Sequence, residues 1–164
     1  VGDITYIYTK ETGWTYLAIV MDLFDLKVIG WSYGLNMTDD LVIDALKKAC
    51  DNRKINSNLI FHSDLGSQYT SNDFETLLRT LNITHSYSKK GCPYDNASME
   101  SFNAILKKEE VNINTYETFQ EAKLAIFEFI ESWYNNRRIH STLNYVTPNE
   151  KYNNYIASSL KYEI

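Results

Sequence analysis

Residues 4–33 hold three runs of β-branched and aromatic residues, 4–8, 16–23 and 27–33, separated by breaks too short for anything but tight turns. Such residues fit a pleated, half-buried surface. In the first break, Lys10-Glu11-Thr12-Gly13, the glycine supplies the conformation a hairpin needs. The second, Phe24-Asp25-Leu26, is shorter still. A chain that opens this way is committed to an antiparallel meander.

After the meander the pattern changes period. Thr38-Asp39-Asp40 reads as a helix start with acids in its first turn, and Leu41, Ile43, Ala45, Leu46 and Ala49 carry the helix to about Asn52. Asn58 to Ser63 reads as a buried strand, Ser71-Asn72-Asp73 caps a helix through Leu81, and Ile83 to Ser86 is a short strand. The segment 87–94, polar and holding Gly91 and Pro93, reads as a loop. Asp95 then caps a helix carrying Glu100. Phe119, Ala122, Ala125, Ile126, Phe129, Ile130 and Trp133 repeat at three- and four-residue spacing in a last long helix, about 115–136. Pro148 falls in a second loop and the tail frays. The expectation is one domain: strand-rich 1–35, βαβα 39–109, the long helix, then a terminal loop and tail, 137–164. The fold class is α/β, a mixed five-stranded sheet flanked by helices.

With 164 residues the chain has room for a substantial core, and its 44% hydrophobic and 23% charged content is that of a globular domain. No apolar stretch reaches the ~20 residues of a membrane helix. Cys50 and Cys92 have no CxxC spacing and no histidine at zinc-ligand distance, so Cys50 reads as core, Cys92 as loop, and the setting as reducing and cytoplasmic. The chain opens at Val1 on a strand and reads as a piece of a longer protein. Its net charge of −5 argues against a free-standing DNA-binding module. Basic residues gather only locally, at Lys89-Lys90, Lys107-Lys108 and Arg137-Arg138.

Three acids fall at places where chemistry is usually done. Asp64 ends the apolar run Leu59 to Ser63, Glu100 lies on a helix, and Asp3 opens the first strand. Residues 65–99 lie between Asp64 and Glu100. A carboxylate at the carboxyl end of a strand stands where open α/β folds place ligands, and a few carboxylates with waters and phosphate oxygens suit Mg²⁺. Each acid alone has a plain reading: Asp64 starts a turn before Gly66, Glu100 faces water, and Asp3 solubilises a strand end. Asp22 ends the run Leu17 to Met21 and competes with Asp3 as an early-strand acid.

The runs HSDLGSQYTS, SYSKKGCPYDNASMESFNAILKKE and YNNRRIHSTLNYVTPNE, with the opening GDITYIYT, resemble the integrase-type catalytic core of bacterial insertion-sequence transposases, within the retroviral-integrase-like superfamily. The likeness spans nearly the whole chain. It implies a ribonuclease H-like fold and an Asp-Asp-Glu triad at Asp3, Asp64 and Glu100. These would hold two Mg²⁺ ions, with Mn²⁺ able to substitute. The family's basic residue beyond the glutamate falls on Lys107. Seven residues keep it on the Glu100 face with roughly 20° of drift and about 10 Å of rise; otherwise it is a solvated lysine.

Lys89, Lys90, Lys107 and Gln68 are the candidate DNA contacts, and Tyr69 could close the site. His62 either orients Asp64 or is a satisfied buried polar group. Asn96 packs under the acids, Asp22 supports them, and Arg137 and His140 either serve the site or tie the last helix to the sheet. Leu65 stands where relatives carry arginine or another polar residue.

The implied activity is metal-dependent DNA cleavage and strand transfer, by in-line attack on phosphorus of water and then of a DNA 3′-hydroxyl. The implied partners are element ends, target DNA and further copies of the chain assembled on DNA, with a helix-turn-helix region upstream. Two rivals remain: a ribonuclease H-type hydrolase, and an inactive core kept for DNA binding or assembly. A strand-transfer product separates the first, and metal-dependent cleavage the second.

Overall fold

The computed structural model describes residues 1–55, 58–89 and 96–159. The meander forms as expected. Strands β1 (Gly2–Thr9), β2 (Gly13–Met21) and β3 (Val28–Gly34) pair antiparallel in that order. Gly13 closes the hairpin with φ +76, a conformation that costs a side-chain-bearing residue far more. The register sets Asp3 opposite Ile19 and Tyr6 opposite Tyr16, with an irregularity at Val20/Met21.

Helix α1 (Asp39–Asn52) packs on β2 and β3. It is followed by β4 (Ile60–Ser63), α2 (Asn72–Thr80) and β5 (Thr84–Tyr87). Ser71 caps α2, its side chain accepting from the Phe74 N–H. β4 and β5 pair parallel, Ile60 with Thr84 through Ser63 with Tyr87. The five expected strands are all present, but their hydrogen-bonded ladders form a three-stranded and a two-stranded sheet. β4 lies against β1 without joining its ladder. The Phe61 ring packs so close to Gly2 that a Cβ there would sit 2.5 Å from its tip.

β2 is central and apolar on both faces, as a strand buried on both sides must be. Leu17, Ile19 and Met21 point into one core with Ile7, Met99, Phe102, Leu106, Ile126 and Ile130. Ala18 and Val20 point into the other, with Leu41, Ala45, Leu46, Phe61, Phe74 and Leu78.

Helix α3 (Ala97–Leu106) runs into a π-helical turn, Lys107–Val111. Asn96 is its N-cap; the expected cap, Asp95, lies outside the described residues, as do Lys90 and Cys92. The last long helix begins later than its periodicity suggests. α4 spans Phe119–Phe127 and continues as a π-helical segment, Glu128–Tyr134. Tyr116 is held away from the helix by a bridge to Thr9, and its carbonyl accepts from the Lys10 N–H at 3.0 Å.

The expected fraying tail is instead helix α5 (Pro148–Ser159) as far as residue 159. Thr147 Oγ1 accepts from the Glu150 N–H at 3.2 Å, and Glu150 Oε2 accepts from the Thr147 N–H at 2.8 Å. That reciprocal pair, with proline at the first helical position, is a strong helix start. α5 docks through Tyr152, whose ring lies 3.9 Å from the Arg53 guanidinium. Arg53 also grips Asp22 at 2.7 Å and the buried Asp25 at 2.8 Å. Among the described residues no helix is long and apolar enough to cross a membrane.

The tightest approach in the fold is α1 on β3. A Cβ at Gly30 would lie 2.2 Å from the Ala45 carbonyl oxygen and 2.5 Å from the Ala49 nitrogen, both rigid main-chain atoms. Gly30→Ala should therefore destabilise the protein by about 1–3 kcal/mol or more, as overpacking does. A urea midpoint equal to that of the parent would mean that α1 and β3 do not meet this closely.

Candidate active site

β1 and α3 bring the first and third acids into one neighbourhood. Met99, Phe102 and Leu106 sink one face of α3 into the core. The adjacent stripe, Glu100, Asn103 and Lys107, follows at helical spacing. Asn103 Nδ2 donates to Asp3 Oδ2 at 2.6 Å, while Asn103 Oδ1 is buried with no partner among the described residues. Lys107 Nζ donates to the Tyr6 carbonyl on β1.

Asp64 follows β4 on an exposed turn. Its Oδ1 accepts from the Gly66 N–H at 2.9 Å, so the plain turn-starting role holds for that oxygen. A Cβ at Gly66 would come within 2.9 Å of the same atom, so glycine leaves room for the carboxylate.

Asp3 senses both of the other acids. The Asp3 carboxyl is pushed up to about 6. Burial is the largest cause, and the negative charges of Asp64 and Glu100 add to it. Hydrogen bonds at Ile4 and from Asn103 act in the opposite direction. Burial, followed by the charges of Asp3 and Asp64, also drives the Tyr69 hydroxyl well above its ordinary range. Yet no group of three or more His, Cys, Asp or Glu among the described residues stands close enough to hold a metal ion as placed. The two observations differ in range: Coulomb repulsion acts over distances at which side chains do not yet share a ligand. Hard carboxylate oxygens, a proton-retaining Asp3 and an orphaned Asn103 carbonyl oxygen fit a divalent cation by chemistry.

The other expected site residues divide sharply. His62 is not turned to Asp64: Nδ1 lies 3.0 Å from Ser86 Oγ and Nε2 3.0 Å from Ser88 Oγ. It is the satisfied polar residue. Asp22 is not near the acids' hydrogen bonds but is held by Arg53. Gln68 Nε2 donates to the Met37 carbonyl at 3.1 Å, joining the Asp64 loop to the start of α1. Tyr69 is buried against Phe61 and Phe74 and cannot offer its ring to DNA. Lys89 is exposed, two residues beyond β5.

Asn96 is half-buried at the start of α3, its Oδ1 without a partner among the described residues. Arg137 is exposed and lines a cleft with Glu109, Glu128 and Trp133. The tie to the sheet is made by Asn135, whose Oδ1 accepts from the Val28 N–H at 3.1 Å and whose Nδ2 donates to the Val28 carbonyl at 3.0 Å, while Arg138 grips Glu109, in the turn after α3, with Nε and Nη2 at 3.0–3.1 Å. His140 is buried beside Tyr134, its Nε2 without a partner among the described residues, and burial lowers its pKa. Asn103 lies outside the motif positions assigned to the site, although its three-residue offset from Glu100 places it on the same helix face.

Two models of an integrase core domain match the chain, over residues 1–93 and 81–148. The transposase for insertion sequence element IS904 of Lactococcus lactis is 48% identical over 93% of this chain and 60% of its own length. Transposase InsF for insertion sequence IS3A of Escherichia coli is 42% identical over 95% of this chain and 54% of its own. The chain thus spans little more than half the length of these relatives. Among solved structures, the HTLV-2 integrase catalytic core domain in complex with magnesium superposes with TM-score 0.66 at 20% identity, covering 91% of each chain. The catalytic domain of Mos1 mariner transposase gives 0.67 at 17% identity, over 80% of this chain and 68% of the other. These two likenesses speak for the ribonuclease H-like fold.

The raised Asp3 carboxyl has a sign for stability. The native state binds that proton more tightly than the unfolded chain, so stability falls as pH rises from about 4, the unfolded range, to about 6. Asp3→Asn keeps an acceptor for Asn103 and removes the charge. Without metal, the variant should melt higher than the parent at about pH 7, the gap closing as pH drops through that window. A gap that stays constant across the window would assign the effect to packing instead.

Proposed function

The chain belongs to the integrase core domain family, and on that premise we propose that it is the catalytic core of an insertion-sequence transposase, cutting DNA and joining its 3′ ends to a target. The observation that carries this reading is Asp3, a half-buried strand carboxyl that feels the charges of both Asp64 and Glu100. A buried carboxyl that feels two further negative charges is costly unless a cation stands beside it.

Asp3, Asp64 and Glu100 would hold two divalent ions, Mg²⁺ or Mn²⁺. When bound, these supply Lewis acidity to the attacking oxygen, first of water and then of a DNA 3′-hydroxyl, and to the leaving oxygen. The chain's own contribution is placement. Asn103 fixes the face Asp3 presents, Gly66 the turn that carries Asp64, and the buried side of α3 the height of Glu100. Lys107 stands with its amine on a β1 carbonyl, and burial lowers its pKa. On DNA it would exchange that carbonyl for a phosphate oxygen. Element ends, target DNA and further copies of the chain are the proposed partners, with Lys89, Lys90 and Gln68 as outer contacts.

Asp64→Asn and Glu100→Gln change charge and hardly change volume. Each should reduce cleavage and strand transfer on end-containing duplexes by orders of magnitude, with circular dichroism and gel filtration unchanged. EDTA should do the same to the parent, and Mg²⁺ or Mn²⁺ should restore it. A folded variant that still transfers strands at the parental rate would remove that acid from the mechanism.

Lys107→Ala should weaken duplex binding regardless of sequence and lower the slope of log affinity against log salt by roughly 1. Titrations at several salt concentrations measure this. A slope and activity equal to the parent's would leave Lys107 with only its bond to Tyr6.

A further inference from the structure

A line of polar side chains runs inward from α2 to the residue before Asp64. Glu75 Oε1 lies 2.7 Å from His85 Nδ1, and His85 Nε2 lies 3.0 Å from Ser63 Oγ. Ser63 Oγ in turn donates to the main-chain carbonyl of Asp64 at 2.9 Å. Ser63 is fully buried and the His85 side chain is 6% exposed. Buried polar groups of this kind have no water to fall back on. The rings of Phe61 and Phe74 flank His85 at 5.7 Å, and Tyr87 lies over it at 4.1 Å while donating its hydroxyl to the same Glu75 oxygen.

Carboxylate, imidazole and hydroxyl in this order are the parts of a nucleophilic triad. Here the hydroxyl has no access to substrate and is directed at a carbonyl of its own chain. The arrangement is a brace.

The protons of the brace can be counted. The Glu75 carboxylate only accepts, so Nδ1 carries a proton. Ser63 has a single proton and gives it to the Asp64 carbonyl. Ser63 Oγ also faces His85 Nε2, and the Nδ1–H on Glu75 fixes which edge of the ring is turned to it.

We propose that Glu75 and His85 are positioning residues that act through Ser63 to fix the main chain at Asp64, and so the place of its carboxylate relative to Asp3. The proposal rests on the reading of Asp64 as a catalytic acid. It goes beyond that reading in naming a support on α2 and β5 for a residue that follows β4. Partners that orient a metal-binding carboxylate are commonly worth 10–100-fold in affinity or rate.

The test uses the whole chain in two arms. In the first, ¹⁵N NMR of the imidazole nitrogens should show a proton held on Nδ1 of His85, and Glu75→Gln should abolish that signature. In the second, Mn²⁺ is titrated into metal-free Ser63→Ala, His85→Asn and His85→Gln. The asparagine amide reaches toward Glu75 and stops short of Ser63, whereas the glutamine amide can donate where Nε2 does. Ser63→Ala and His85→Asn should lose about 10–100-fold in Mn²⁺ affinity and a similar factor in kcat, with KM for duplex DNA unchanged. His85→Gln should retain most of both.

A His85 ring with no proton held on Nδ1, or lowered melting temperatures with Mn²⁺ affinity intact, would overturn the proposal. If a variant fails to fold, the spectra of the parent and Glu75→Gln decide. A parent that binds Mn²⁺ but never cuts DNA would sink the transposase reading, while both non-catalytic readouts would still judge the brace.

Discussion

Helix α3 is held across β1 by two kinds of contact, and the geometry of the site depends on both. Met99, Phe102 and Leu106 are buried with Ile7 and Leu17, which fixes the height of the helix above the sheet. One residue further round, Asn103 bonds Asp3 and Lys107 bonds the Tyr6 carbonyl. From Asn103 to Lys107 the helix rises about 6 Å, and from Asp3 to Tyr6 the strand advances roughly 10 Å. A rod tied at two points to a strand can neither slide nor roll, so Glu100, one turn before Asn103, inherits a fixed position. The apolar contacts supply the adhesion and the two polar contacts supply the register.

Several acids away from the site have a cationic partner. Asp22 and Asp25 share Arg53, Glu109 has Arg138, Glu75 has His85, and Glu117 has Lys10. Among the described residues, Asp3, Asp64 and Glu100 form no ion pair at all. Their repulsion and the burial of Asp3 work against folding, and the fold carries that cost where its proposed chemistry lies. The Tyr69 hydroxyl, buried beside Asp3 and Asp64, adds a polar group that cannot ionise there.

Local signals were legible in the sequence and long-range ones were not. The meander, the starts of α1 and α2, and the face of α3 follow from turn residues, caps and periodicity. Thr147-Pro148-Asn149-Glu150 carries a helix start of the same local kind, since proline is favoured as a first helical residue, and the expected loop gives way to α5 there. The start of α4 is local as well: Thr118 Oγ1 accepts from the Glu121 N–H at 3.2 Å and Glu121 Oε2 from the Glu117 N–H at 2.7 Å, so Thr118-Phe119-Gln120-Glu121 carries the signal. Long-range partners are what the sequence hides: His62 is met by Ser86 and Ser88, on and just beyond another strand, and nothing local separates Arg138 from Arg137. Motif spacing could nominate the acids; it could not nominate what holds them.

The use of basic residues also bears on how DNA would approach. The chain is acidic, with a net charge of −5, and several of its cationic groups are already committed. Arg53 and Arg138 are consumed by carboxylates, Lys48 by the Trp31 carbonyl and Lys107 by that of Tyr6. A phosphodiester nearing Asp3, Asp64 and Glu100 meets like charge. Under the proposed function, neutralisation of the three acids must therefore precede or accompany DNA docking, and Lys107 becomes available only by giving up a bond that helps hold α3 on β1. Docking and the firmness of the α3–β1 junction are coupled through that one side chain.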